Sequence, residues 1–362
     1  MNIKKIAAAV LTALMAISTA TAASADDDIF IESGDYSYKA NGDGTIRIIN
    51  YFGSATELEI PPEIDGKTVT GIDNRTFIFC KLLSSVIIPD GVTSIGDEVF
   101  RGCKSLKTAT IPDGVTSIGD EVFRDCESLK TVTIPDGVTS IGEYAFYHCK
   151  SLTSVAIPNS VTLIGSDAFC GCESLKTVTI PDNVISIGHG AFYKCSSLTS
   201  LVIPDSVTSI DAEAFDFCTS LTSVTISNSV TTIGKYAFEN CTSLKTVNYT
   251  GSKADWEKIN IESEYGGNAT LLNATINYNY KPSDTSVIPT PQKTVYKSTT
   301  DVVGDVDGDG KTSAKDATAI LKYTVGLADL EGNSLNNALV TGGKTPSARD
   351  ATQILKMIVG VA

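Results

Sequence analysis

Residues that usually carry chemistry are scarce in this chain. Its 362 residues include two histidines, one tryptophan and three methionines. His148 and His189 fall at different points of the repeat described below, so they form no paired base and are expected as exposed turn residues. Basic residues are outnumbered, 28 Lys and Arg against 42 Asp and Glu, for a formal charge of -14. Phosphate binding needs clustered cations, so this balance argues against a nucleic-acid partner. Beyond the N-terminal residues no apolar run approaches the roughly 20 residues that a membrane-spanning helix requires, and no membrane span is expected.

What the chain has in abundance is itself. Leu106 to Ser128 reads LKTATIPDGVTSIGDEVFRDCES, and Leu129 to Ser151 reads LKTVTIPDGVTSIGEYAFYHCKS. The 23-residue period is kept by Phe100, Phe123, Phe146, Phe169, Phe192, Phe215 and Phe238, and by Leu106 through Leu244 behind them. A fixed period of this length means a solenoid, in which each unit buries its apolar side chains only against its neighbours. Leu129, Val132 and Ile134 give a short strand with one inward face. Pro135 ends it for want of a ladder donor, Asp136 and Gly137 supply a turn, and Val138 to Gly142 forms a second extended piece. Glu143 to Cys149 then makes one helical or tight turn that drops Phe146 and Cys149 inward, giving a three-sided coil.

Eight of the nine cysteines follow the period, from Cys80 to Cys241. An even set in an exported chain invites disulfides. Stacked equivalent residues, however, stand about 4.8 Å apart with parallel side chains, whereas a disulfide needs converging Cβ atoms about 3.8 Å apart. A reduced, buried thiol ladder is therefore expected. Cys170 is off the period at the place of Arg101 and Arg124, and is expected as a lone surface thiol. Thr108, Thr110, Thr131, Thr133, Thr177, Thr179, Ser223 and Thr225 should tile the outer sheet face with hydroxyls. Asp90, Asp113, Asp136, Asp182 and Asp205 follow the proline, where a local capping role is expected rather than a catalytic carboxylate pair.

Residues 1–25 read as a secretory signal peptide: Lys4 and Lys5, an apolar run from Ile6 to about Ile17, then Ala23-Ser24-Ala25, with cleavage after Ala25 or alternatively Ala22. Residues 26–57 form an N-terminal β cap built on a hairpin around Asn41-Gly42-Asp43-Gly44. The solenoid covers 58–247, its first unit enlarged by about five residues from Pro62 to Gly66. Residues 248–280 make a C-terminal cap whose short helix carries Trp256 as a plug, and 281–300, rich in Pro, Ser and Thr, form a tether.

The I-P-[DN]-x-V-x-x-I-G-x-x-A/V-F-x-x-C pattern resembles the BspA-like leucine-rich repeat family of bacterial surface and secreted proteins. That resemblance implies a right-handed solenoid for binding or adhesion without shared catalytic residues. Asp305 to Asp316 matches a twelve-residue calcium loop, with Asp305, Asp307 and Asp309 at positions 1, 3 and 5 and Gly310 at the sharp turn. The carbonyl of Lys311 stands at position 7, Ser313 at 9 and Asp316 at 12. A helix follows from Ala314 to about Val325, and Ser313 to Lys322 is echoed by Ser347 to Lys356. Residues 301–362 thus resemble a type I dockerin, which implies docking onto a scaffoldin cohesin through Ala314, Lys315, Lys322, Ala348, Arg349 and Lys356. The second loop, Leu339 to Lys344, lacks the leading carboxylates, so one calcium is expected.

The expected fold is an α/β solenoid of leucine-rich repeats followed by a small all-α calcium-binding dockerin module. The expected function is that of a secreted, non-catalytic cellulosome component in an extracellular, cell-surface complex, with an unknown protein or glycan partner for the repeat array. The alternatives are a polysaccharide-degrading enzyme resembling a glycoside hydrolase, or a structural spacer.

Overall fold

A computed structural model describes residues 30–281 together with two strands, Thr294–Ser298 and Ala328–Gly332. Residues 1–25, expected as the signal peptide, lie outside the described residues.

The coil follows from the period. Short strands at Glu57–Glu59, Ser85–Ile87, Thr108–Thr110, Thr131–Thr133, Ser154–Ala156 and Thr177–Thr179 pair in parallel to make the first side. Ser200–Ile203, Ser223–Ile226, Thr246–Tyr249 and Thr275–Asn277 continue it. Thr131 lies opposite Thr108 and Val132 opposite Ala109, an offset equal to the repeat. The second side is a sheet of two-residue strands running from Ser117–Ile118 to Asn260–Ile261. Alternation within these pieces puts Val132 and Ile141 in the core and Thr131 outside.

The third side has neither helix nor strand, and this corrects the α/β expectation. Helices among residues 30–281 are confined to the C-terminal cap: α1 at Lys253–Trp256, a 3-10 turn at Glu264–Gly266 and α2 at Ala269–Leu272. The turn is instead closed by contacts to the next coil: Glu98 N–H donates to Asp120 O, Phe100 N–H to Val122 O and Gly102 N–H to Arg124 O, at 2.7–2.9 Å. A helix would direct those donors within its own segment.

Two ladders fill the interior. Phe77 through Phe238 stack ring on ring with centroids 5.1–5.5 Å apart and planes within 16° of parallel. Tyr51 and Tyr36 extend the stack into the N-terminal cap. Beside it the periodic cysteines point at the backbone. Cys103 Sγ–H donates to Phe77 O at 3.1 Å, Cys126 to Phe100 O at 3.1 Å, and the pattern continues to Cys241 and Phe215 O at 3.2 Å. All nine cysteines are free thiols. Burial holds the inner thiols in the protonated form, and that of Cys241 is pushed up to about 12. A thiol reagent is expected to reach the half-buried Cys80 first and to titrate nine thiols once the protein is denatured without reductant. A shortfall in that titration would reveal disulfides.

Elements outside the regular repeat close both ends of the described coil. Ile31–Ser33, Tyr36–Ala40 and Ile46–Tyr51 form an antiparallel sheet, and Tyr38 donates to the carboxylate of Asp65 at 2.8 Å. At the other end Trp256 is buried edge-on against Tyr249, with centroids 5.1 Å apart. Past the cap, Thr294–Ser298 pairs in parallel with Ala328–Gly332. Ala328–Gly332 thus lies as a strand within the segment expected as a small all-α module. The TVYKS stretch, with β-branched and aromatic residues, suits a strand.

Candidate functional site

The expected calcium ligands Asp305, Asp307, Asp309, Lys311, Ser313 and Asp316 lie outside the described residues. So do the cohesin-facing Ala314, Lys315, Lys322, Ala348, Arg349 and Lys356. Among the described residues no group of three or more His, Cys, Asp or Glu side chains could hold a metal. Functional surfaces within the described residues must therefore be sought on the three sides of the solenoid.

The first side is rich in hydroxyls. Thr108, Thr110, Thr131, Thr177 and Thr179 are exposed as expected, whereas Thr133 and Ser223 are half-buried, Thr225 is buried, and exposed Ile87, Ala156 and Val202 interrupt the row. A local capping role was expected of the post-proline acids. The turn is closed by backbone, Val115 N–H to Pro112 O and Val138 N–H to Pro135 O, while Asp205 accepts from Ser227 of the next coil at 2.6 Å.

The third side differs at every coil. Each turn has two residues, four apart, with φ in the left-handed region, where glycine sits at no steric cost. Across eight turns, from Arg75 and Phe79 to Tyr236 and Asn240, thirteen of these sixteen positions are not glycine, with φ between 51° and 63°. They include Glu98, Glu121, Tyr144, His148, Lys194 and Phe217. Such a conformation costs a non-glycine residue about 1–2 kcal/mol. Strain of that kind gathers at working surfaces.

These side chains form a run along the coils. Arg75 is ion-paired with Glu98; Arg101 bridges Glu98 at 2.7 Å and Glu121 at 3.0 Å; Arg124 meets Glu121 at 3.2 Å. The hydrogen bond from Arg75 holds the Glu98 carboxyl below its ordinary range. The guanidinium of Arg124 then covers the rings of Tyr144 and Tyr147 at 5.5 and 5.0 Å. Farther along, the ammonium of Lys194 lies 5.2 Å from the ring of Tyr193 and 5.7 Å from that of Phe217. Asp216 is buried beneath them, accepting from Phe217 N–H and Asn240 Nδ2, and burial pushes its carboxyl up.

Two sequence expectations change here. His148 is not simply an exposed turn residue: it packs on Tyr147 with centroids 4.0 Å apart, and its Nδ1 stands 3.4 Å from Asp125. Cys170 is not a surface thiol, being 5% exposed. The place it takes is not an exposed one either, because Arg101 and Arg124 themselves fold down onto neighbouring side chains. Burial, with Asp167 next to it, pushes the thiol up to about 12, which leaves it a poor nucleophile. His189 is exposed as expected. The turn-face residues were missed as a group, although comparing the repeats column by column, with these positions set against the constant Phe, Cys and Leu, would have exposed them.

The sequence model of the BspA type leucine-rich repeat region matches six copies over residues 51–163 and 139–259. Among solved structures, a leucine-rich repeat protein from Bacteroides ovatus is 27% identical, over 70% of this chain and 72% of that one, with a TM-score of 0.54. A leucine-rich repeat protein from T. pallidum is 29% identical, over 58% of this chain and 88% of that one, with a TM-score of 0.45. No curated protein sequence matches the chain.

Proposed function

This chain belongs to the BspA-type leucine-rich repeat family, a non-enzymatic kind of fold, and we propose that it is an exported binding protein whose turn face recognises a protein partner. One observation carries the reading: charged and aromatic side chains and left-handed strain coincide on that side, while the other two sides carry mostly Ser and Thr with a few exposed aliphatics. The mix of Tyr, Arg and Phe there matches what protein interfaces favour at their centres. Among the described residues no helix is long and apolar enough to cross a membrane.

The C-terminal residues supply a second activity in this reading, docking onto a cohesin. Its support is sequence alone. Hard oxygen donors at Asp305, Asp307, Asp309, Ser313 and Asp316, with the Lys311 carbonyl, suit one calcium ion, and the duplicated Ser313–Lys322 and Ser347–Lys356 segments would present similar faces. Together with the signal-like N-terminus, this supports a location outside the cell in a surface complex.

Pull-down with the full-length protein tests both parts. A type I cohesin should be retained with calcium and released by chelator, and charge reversal at both Lys315 and Arg349 should abolish retention. Equal retention after chelation removes the dockerin reading. The array's partners should stay bound through chelation but be lost from a His148→Gly, Lys194→Gly, Phe217→Gly variant, which installs the residue already present at Gly102 and Gly171. A variant that keeps those partners overturns the turn-face reading.

A further inference from the structure

A second surface lies on the other side of the turn. At the corner between the two-residue strands and the turns runs a shallow groove of about 510 Å³. Serine side chains and glycine backbone line much of it. The register aligns Ser117, Ser140, Leu163 and Ser186, so Leu163 replaces a serine in the middle of the row, and it is 49% exposed. One coil on, beside the partner of Leu163, Ile185 is 58% exposed where the neighbouring coils have Thr162 and Thr208. Exposed aliphatics scattered singly need no explanation. Here two adjacent coils break a polar pattern at adjoining positions.

The groove is also acidic. Asp97, Asp120, Glu143 and Asp211 all line it. Among the described residues none of the four is in an ion pair, whereas Glu98 and Glu121 on the turn face are each held by two arginines. Asp97 and Asp120 each give one carboxylate oxygen to a backbone N–H of the next coil, which fixes them at the rim. A small apolar floor with an uncompensated anionic rim is complementary to one chemistry. We propose that this groove docks an extended peptide segment of a partner protein in which an aliphatic side chain is flanked by lysine or arginine. The aliphatic group seats on Leu163, which lines the groove, with Ile185 exposed on the next coil beyond the lining, and the cations face Asp120, Glu143 and Asp211. Such a site works independently of the turn face.

Fluorescence anisotropy on the full chain, with short labelled probe peptides, tests this. A Leu/Lys probe should bind with an affinity that falls as salt rises, a Ser/Lys probe about tenfold or more weaker, and a Leu/Glu probe not at all. Leu163→Ser with Ile185→Thr should weaken the Leu/Lys probe about tenfold, the worth of one buried aliphatic contact. Those substitutions install the residues of neighbouring coils, so the fold tolerates them. Asp120→Asn with Glu143→Gln should remove most of the salt dependence. Equal binding of the Ser/Lys probe, or no change in the Leu163 and Ile185 variant, overturns the proposal. So does an equal loss from Asp113→Asn with Asp136→Asn on the post-proline row, because binding would then follow charge alone. The turn-face glycine variant should leave the probe's affinity unchanged, and a loss there would likewise overturn a separate site.

Discussion

Asn268→Ala is expected to lower the stability of the solenoid by about 2–4 kcal/mol and to start unfolding from its C-terminal end. In the inner coils each Phe N–H of the turn donates to a backbone carbonyl of the next coil, as Phe215 N–H does to Ala237 O at 2.8 Å. Phe238 has no such coil after it. The side chain of Asn268 takes over: Oδ1 accepts from Phe238 N–H at 2.9 Å, while Nδ2 donates to Gly234 O and Glu262 O, each at 2.9 Å. The residue is fully buried and sits at φ 61°, a conformation that asparagine tolerates better than alanine does. Truncation leaves Phe238 N–H buried without an acceptor, which costs about 1–3 kcal/mol, with the lost donors and backbone strain added. Gly234 O keeps its bond from Ala237 N–H, which limits the total. Asn268→Asp retains the acceptor and loses the donors, so its effect should be intermediate. Chemical denaturation of the three proteins checks the order; an alanine variant as stable as the parent would mean that the cap is held by Trp256 and Leu271 alone.

Gly165→Ala is the second large effect, expected at about 2–3 kcal/mol, near the top of what overpacking usually costs. A Cβ at Gly165 would stand 2.7 Å from Gly142 C and 2.8 Å from Glu143 N and Gly142 O, all backbone atoms of the preceding coil. The coils approach closely along this glycine row, and Gly188 meets Gly165 C at 2.9 Å. Asp211 occupies the same repeat position, so the stack admits a side chain at this row, and Gly165→Ala should destabilise rather than abolish folding. A thermal melt unchanged from the parent would show that the middle coils yield as readily as the coil at Asp211.

Much of this architecture was legible in the repeat. Phe146, Leu129, Ile134 and Cys149 recur in register, and periodic burial follows from a period too short to close a core by itself. The thiol ladder was legible too, because parallel side chains in stacked coils cannot converge to a disulfide. Less legible was the third side. Seven residues from Glu143 to Cys149 are compatible with a helical turn, and what decides against one is the demand of the next coil for the N–H groups of Tyr144, Phe146 and His148. Cys170 and His148 were misplaced for a related reason: their depth depends on Tyr147, Asp167 and Asp125 in their own and preceding coils, not on their own position in the repeat.

The candidate surfaces divide along the same line. That the first side carries mostly Thr and Ser was readable from the chain. That Arg124 reaches over two tyrosines, or that Leu163 lines one groove with Asp120, Glu143 and Asp211, was not. The sequence by itself determined the period and which side chains face inward, since these follow from local alternation and from the rule that stacked units share one core. Only the tertiary structure decided the left-handed turns, the partners of the thiols and the neighbours on each surface. Those depend on the distance and register between one coil and the next, a relation between residues 22 to 26 positions apart that no single repeat contains.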